Sequence, residues 1–232
     1  MKYDTLIRQA LIIDGSNTPG YVADVGLRAG RIETIGDLSS ATGEHEVDAS
    51  GRVLAPGFID VHTHDDTVVI RHPQMLPKLS QGVTTVIVGN CGISASPVSL
   101  RSDPPDPMNL LGAREAFAYP RFADYRAAVE SAHPAVNVAA LIGHTALRSN
   151  HMDDLHRTAT PSEIAAMRVQ LQESLQAGAL GLSTGLAYAS AFNAETDEVL
   201  QLSEELTAFG AVYTTHLRSE FEPVLELSLI HI

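Results

Sequence analysis

Residues 53–66 read VLAPGFIDVHTHDD, an apolar run that ends in His62 and His64 with one residue between them. Because side chains two positions apart in a strand point to the same face, a strand over 58–64 would place Asp60 beside both histidines. Neutral imidazole is a good zinc ligand, so the pair predicts a site for a divalent metal ion. Two ordinary surface histidines are the alternative. The apolar run, the proline-glycine turn within it and the two acids that follow favour the metal site.

Composition narrows the class of protein. The chain has 232 residues, of which 44% are hydrophobic and 19% charged, as is usual for a soluble globular protein. A net charge of −13 disfavours nucleic acid and anionic lipid as partners. No apolar run approaches the roughly 18 residues of a membrane span. With a single cysteine and no signal-peptide pattern, we expect a cytoplasmic protein without a disulfide or a membrane partner.

The pattern changes near residue 55. Residues 1–55 carry short β-branched runs separated by glycine turns, which predicts a small β-rich domain of the β-sandwich type. From residue 56 onward strands alternate with helices, which predicts a parallel sheet with right-handed crossovers. The predicted strands cover 58–64, 83–88, 136–142, 179–183 and 211–216. The predicted helices cover 73–81, 122–132, 162–177 and 195–209, and 96–120 is predicted to be a long loop.

The alternation predicts an α/β fold, namely a partial (β/α)8 TIM-type barrel that follows the β-rich domain. A closed barrel of this kind typically needs roughly 250 residues. Residues 56–232 supply only five predicted strands and finish in an uncapped apolar stretch. We therefore expect an incomplete barrel in a chain truncated near Glu226.

Potential metal ligands stand at the predicted strand ends, where such barrels place their functional groups. Besides the two histidines of the first strand, these are Cys91, His144 and His216. Cys91 is either a ligand or an inert buried thiol. His144 either supports a ligand or is a hydrogen-bonded histidine at the barrel mouth. Asp60 either orients a ligand histidine, as carboxylates near metals do, or anchors the barrel floor.

Several motifs point to one family. The segment DASGRVLAPGFIDVHTH resembles the opening segment of the amidohydrolase superfamily of metal-dependent barrel hydrolases. The motifs VGNCG, IGHTALR, GLSTGLAY and TTHLRSE together resemble its N-acyl-D-amino-acid deacylase, or D-aminoacylase, branch. The resemblance extends from residue 1 to about residue 226.

The resemblance implies a ligand set for zinc, with one or two ions. His62 and His64 match the metal pair of the first strand, and His216 matches the histidine ligand of the fifth strand. Many relatives place a carboxylated lysine on the fourth strand, but that strand here reads GLSTG, so the branch pattern assigns the role to Cys91. Tyr188 matches a tyrosine that contacts substrate. The general acid/base aspartate is expected beyond residue 232, so we expect no catalytic residue within the chain.

The implied reaction is hydrolysis of an N-acyl-D-amino acid to a carboxylate and a D-amino acid, with a metal-bound hydroxide attacking the amide. One alternative is a cyclic-amide hydrolase of the hydantoinase or dihydroorotase type, which the missing fourth-strand lysine disfavours. The other is that the 232-residue chain is an inactive, non-enzymatic fragment. The sequence leaves open the acyl group, the side-chain preference and the oligomeric state.

Overall fold

The computed structural model describes residues 1–219 and Phe221. The chain divides into two compact units, Met1–Gly57 and a second unit that begins at Phe58. The expected break near Glu226 lies outside the described residues. In the part of the chain that the structure describes, no helix has the length and apolar character needed to cross a membrane.

The first unit is a five-stranded mixed sheet. Strand β1 pairs antiparallel with β2 and parallel with β4 and β5, while β3 pairs antiparallel with β2. Tyr3, Leu6 and Ala10 of β1 are buried and form part of its apolar core. The two-layered sandwich and the boundary at residue 55 stay predictions. The strands are β1 (Lys2–Ile12), β2 (Tyr21–Arg28), β3 (Arg31–Gly36), β4 (Thr42–Asp48) and β5 (Val53–Leu54).

The second unit is built on five parallel strands in the order β10-β9-β8-β7-β6. Consecutive strands are neighbours, so their carboxyl ends meet along one edge of the sheet. This arrangement confirms the predicted partial barrel. The strands are β6 (Phe58–Asp60), β7 (Val83–Val88), β8 (Asn137–Gly143), β9 (Gly181–Gly185) and β10 (Val212–His216).

Helices connect these strands and cover the sheet with a core that includes Val86, Ile142, Met167 and Leu171. The helices are α1 (Val68–Arg71), α2 (Leu76–Leu79), α3 (Phe122–Ala132), α4 (His144–His151), α5 (Pro161–Gln176) and α6 (Thr196–Thr207). Two 3₁₀ turns, Met108–Leu111 and Arg114–Ala116, lie in the predicted long loop. Helices α1 and α4 were not predicted from the sequence.

The first barrel strand is shorter than the sequence predicts. Strand β6 ends at Asp60, so the two histidines lie in the loop that follows and not on a strand face. In this loop, side chains form hydrogen bonds with backbone groups that would pair with a neighbouring strand in a regular sheet. The Asp60 carboxylate accepts the His62 backbone N–H at 3.2 Å, and the Asn90 amide donates to the Val61 carbonyl at 3.4 Å. The predicted strand over 58–64 is therefore wrong beyond residue 60.

Candidate metal centre

Three potential ligands converge after the first two barrel strands. One donor atom from each of His62, His64 and Cys91 lies within 4.8 Å of the others. His62 Nε2 is 3.0 Å from Cys91 Sγ. The two imidazole rings stand nearly perpendicular, with centroids 5.7 Å apart. Two nitrogens and one sulfur at these separations can reach a single tetrahedral ion.

The fifth strand brings a fourth donor to the same place. His216 is the last residue of β10, and its Nδ1 lies 4.0 Å from Cys91 Sγ. Tyr188 follows β9, and its hydroxyl lies 3.5 Å from the same nitrogen, with ring centroids 5.0 Å apart. The structure therefore places every sequence-predicted ligand, and the predicted substrate contact, around the Cys91 sulfur.

Burial acts on the pKa values of two of the donors. Burial raises the pKa of the Cys91 thiol, and a hydrogen bond with Tyr188 acts in the opposite direction. Burial, followed by the electrostatic interaction with His62, lowers the pKa of His64, which favours the neutral imidazole that can bind a metal. Among the described residues, buried His64 Nδ1 has no hydrogen-bond partner. An unpaired nitrogen beside a thiol fits a zinc ion, which would hold the sulfur as thiolate.

A lysine that the sequence reasoning did not assign supports the histidine segment. Lys78 Nζ lies 2.6 Å from Asp60 Oδ2 and 3.0 Å from Asp65 Oδ2, and it donates to Thr63 Oγ1 at 3.0 Å. The hydrogen bond from Lys78 lowers the pKa of Asp60, against the effect of burial. Asp60 also accepts the His62 N–H, so it connects Lys78 to the histidine segment, and its role in orienting a ligand stays a prediction. Lysine is scarce in this chain, and that scarcity is the sequence feature that could have drawn attention to Lys78.

Asp66 is a second group that the sequence did not place. Its carboxyl is buried, and Oδ1 accepts the Ala95 backbone N–H at 3.2 Å. Burial raises the pKa of Asp66 to about 7. The Asp66 backbone carbonyl accepts the Tyr125 hydroxyl at 2.8 Å. Asp66 thus links the histidine segment to the chain that follows Cys91.

His144 belongs to a different cluster. It is the first residue of α4 and fully buried, and its Nε2 lies 2.8 Å from Glu198 Oε1. Arg148 Nη1 binds the same carboxylate at 2.6 and 2.7 Å. Arg148 Nε also donates to the Ser190 carbonyl at 3.3 Å, two residues beyond Tyr188. His144 therefore joins a buried ion network and is not grouped with the donors around Cys91.

Comparison with known proteins identifies the family to which the chain belongs. The profile of the Amidohydrolase family matches residues 45–229. D-aminoacylase of Alcaligenes xylosoxydans xylosoxydans is 48% identical over 96% of this chain and 46% of its own length. N-acyl-D-glutamate deacylase of the same organism is 44% identical over 96% of this chain and 45% of its own length. The chain spans about half the length of the curated relatives it matches.

Solved structures similar to this chain are of the same kinds of protein. A D-aminoacylase crystal structure superposes with a TM-score of 0.93 at 45% identity and covers 97% of this chain, which spans 47% of that protein. N-acyl-D-glutamate deacylase of Bordetella bronchiseptica, complexed with zinc and a phosphonate inhibitor, superposes with a TM-score of 0.93 at 42% identity. It covers 98% of this chain, which spans 48% of that protein. Together with the profile match, these findings show that the chain belongs to the amidohydrolase family.

Proposed function

We propose that this chain carries the metal centre of a zinc-dependent hydrolase that converts N-acyl-D-amino acids to a carboxylate and a D-amino acid. The convergence of two histidines, a cysteine and a further histidine at the ends of the first, second and fifth barrel strands carries the proposal. Relatives at 44–48% identity are named D-aminoacylase and N-acyl-D-glutamate deacylase. A solved N-acyl-D-glutamate deacylase holds zinc and a mimic of the tetrahedral intermediate.

Each donor has a proposed role. His62, His64, Cys91 and His216 would hold one or two zinc ions. A bound ion would supply Lewis acidity, lowering the pKa of a water and polarising the substrate carbonyl. Tyr188 is half-buried beside His216 and would contact the substrate through its hydroxyl. This role places the substrate next to the donors, because the Tyr188 hydroxyl lies 3.5 Å from His216 Nδ1.

Each acid near the donors has at least one carboxylate oxygen bonded within the protein. Asp60 and Asp65 bind Lys78, and the carboxyl of Asp66 is buried against the backbone of Ala95. We therefore assign none of the described residues as general acid/base, and we propose that the 232-residue chain by itself does not turn over substrate. The test compares this chain with the protein expressed from its complete reading frame. Equal turnover by the two would contradict the proposal.

Zinc content tests the ligand assignment. The protein from the complete reading frame should bind at least about one equivalent of zinc, and Cys91→Ala should lose most of it. His45→Ala is the matched control, because His45 is an exposed histidine of the first unit and should leave zinc content unchanged. Retention of zinc by Cys91→Ala at the level of the parent would overturn the assignment. A reducing, cytoplasmic setting is part of the proposal, since Cys91 must stay a free thiol.

Substrate stereochemistry tests the reaction. N-acetyl-D-amino acids should be hydrolysed and their L-enantiomers should not. Hydrolysis of the L series alone would contradict the proposed substrate class. Ring opening of a hydantoin without any deacylation would favour the cyclic-amide alternative. The fourth strand argues against that alternative, because it carries Ser183 and Thr184 where a lysine would be expected.

A further inference from the structure

A hydroxyl on the fourth barrel strand forms hydrogen bonds with the cysteine loop. Ser183 in β9 is fully buried. Its Oγ accepts the Gly92 backbone N–H at 3.0 Å and donates to the Gly89 carbonyl at 2.5 Å. These two glycines are the ends of the loop 89–92, which carries Cys91. One side chain on β9 therefore closes this loop at both ends.

The loop holds Cys91 in a conformation that it does not adopt by default. Cys91 has a φ of +55°, in the left-handed region that non-glycine residues rarely occupy. Such a conformation persists only where the surrounding structure imposes it. A Cβ at Gly89 would lie 2.1 Å from the Leu141 carbonyl oxygen, and one at Gly92 would lie 2.7 Å from the Gly185 nitrogen. The loop backbone is thus pressed directly onto strands β8 and β9.

A second side chain, that of Asn90, also holds the loop. Asn90 is buried, and its amide donates to the Ile87 carbonyl at 2.8 Å and to the Val61 carbonyl at 3.4 Å. Asn90 therefore ties the loop to the strand that precedes it and to the histidine segment. Ser183 supplies the link to the fourth strand. Between these two anchors the thiol of Cys91 is directed at the imidazoles.

We infer that Ser183 is a positioning residue for the metal centre, an inference that rests on the proposed function. Its hydroxyl fixes the loop 89–92, so that Cys91 Sγ faces the histidine donors. Without that hydroxyl, the Gly92 N–H and the Gly89 carbonyl lose a buried partner, and the loop loses one of the two side-chain anchors that hold Cys91 at positive φ. In this chain the fourth strand acts on the metal through the cysteine loop and contributes no donor of its own.

Metal binding by the protein from its complete reading frame tests the inference without relying on activity. Ser183→Ala should weaken zinc binding about 10- to 100-fold in a chelator competition, as loss of a group supporting a ligand does. In the Co²⁺-substituted protein, the thiolate-to-cobalt charge-transfer band should shift or weaken. Thr184→Val is the matched control. Thr184 is the next residue and equally buried, but its hydroxyl bonds Tyr213 and Thr215 and not the loop, so both readouts should stay unchanged.

The outcomes separate this inference from the proposed function. A charge-transfer band that persists in Cys91→Ala would overturn the metal centre itself. If Cys91→Ala abolishes the band while Ser183→Ala keeps the parent's band and zinc affinity, the metal centre stands and the role of Ser183 is refuted. Equal weakening by Thr184→Val would also refute it.

A second pair of variants tests the inference if Ser183→Ala does not fold. If circular dichroism shows that Ser183→Ala is unfolded, Ser183→Thr is compared with Ser183→Val, which has the same shape but no hydroxyl. Tighter zinc binding by the threonine variant supports the inference, and equal binding overturns it.

Discussion

Replacing Glu198 with glutamine should strongly destabilise the fold. The Glu198 carboxylate is buried, accepts bonds from Arg148 Nη1 at 2.6 and 2.7 Å, and lies 2.8 Å from His144 Nε2. Glutamine keeps the shape of the side chain but removes the only formal negative charge described in this cluster. Removing one partner of a buried ion pair leaves the other charge uncompensated and costs about 3–5 kcal/mol.

The environment of the guanidinium supports a cost of that size. Arg148 Nε donates to the Ser190 carbonyl at 3.3 Å, and Nη2 donates to the carbonyls of Leu155 and Arg157 at 3.1 and 2.7 Å. These bonds hold the cation in place, so it cannot move to solvent when the carboxylate is lost. In a protein of this size each kcal/mol lowers Tm by about 2–4 °C, so Glu198→Gln should lower Tm by about 6–20 °C.

The same network predicts a pH dependence. Burial raises the pKa of Glu198, but its bonds and charge interactions with His144 and Arg148 outweigh burial, so the net pKa is lowered from the ordinary value of 4.5. A carboxyl whose pKa is depressed on folding stabilises the protein fully above its unfolded pKa, and the stabilisation is lost as pH falls through the folded value. The parent should therefore lose stability below about pH 4.5, and Glu198→Gln should lose less over that range.

Urea and thermal unfolding of the parent and its variants measure both effects. Glu130→Gln is the control. The Arg126–Glu130 pair is also an arginine–glutamate pair and spans 2.8 Å, against 2.6 Å for Arg148–Glu198, but it is exposed. Its loss should change stability by at most about 0.5 kcal/mol. The double variant of Glu198→Gln with Arg148→Met should be less destabilised than the sum of its single variants. A Glu198→Gln variant within about 1 kcal/mol of the parent, with an additive double variant, would refute the argument.

Three further outcomes follow from the structure. Lys78→Met should weaken zinc binding about tenfold in a chelator competition, because it frees the Asp60 carboxylate that orients the histidine segment; unchanged affinity would contradict that role. Gly89→Ala should abolish zinc binding, since its Cβ would lie 2.1 Å from the Leu141 carbonyl oxygen, and a variant that binds zinc normally would show that the loop can move. Thr160→Ala should cost about 1 kcal/mol in urea unfolding through loss of the capping box of α5; a change below a few tenths would count against it.

Much of the second unit could be predicted from the sequence, because its elements carry local signals. Strand β7 spans Val83–Val88, as predicted, since VTTVIV is the continuous apolar run of a buried parallel strand. Helix α3 spans Phe122–Ala132, as predicted. Helix α5 begins at Pro161, one residue before its predicted start, because proline suits the first helical position. These signals lie within each segment and need no tertiary contact.

The elements that were missed depend on distant partners. Helix α4 reads HTALRSNH, a polar sequence with no apolar stripe, yet His144 and Arg148 are fully buried in it. Their burial is compensated by Glu198, which lies 50 residues from Arg148 in sequence. Hydropathy alone marks such a segment as exposed, because it treats each charge without its partner.

The candidate metal centre shows the same division between local and distant information. Candidate ligands could be proposed from the sequence because imidazole and thiol chemistry belongs to the residue itself, and strand ends are local features. The groups that hold the candidate ligands are a serine, an asparagine and a lysine, and no local motif connects them to the histidines or the cysteine. Gly92 is bound by Ser183, 91 residues away in sequence. Since a cysteine at positive φ needs such support to stay directed at its neighbours, the geometry of this metal centre depends on tertiary hydrogen bonds as much as on the HTH motif that marks it.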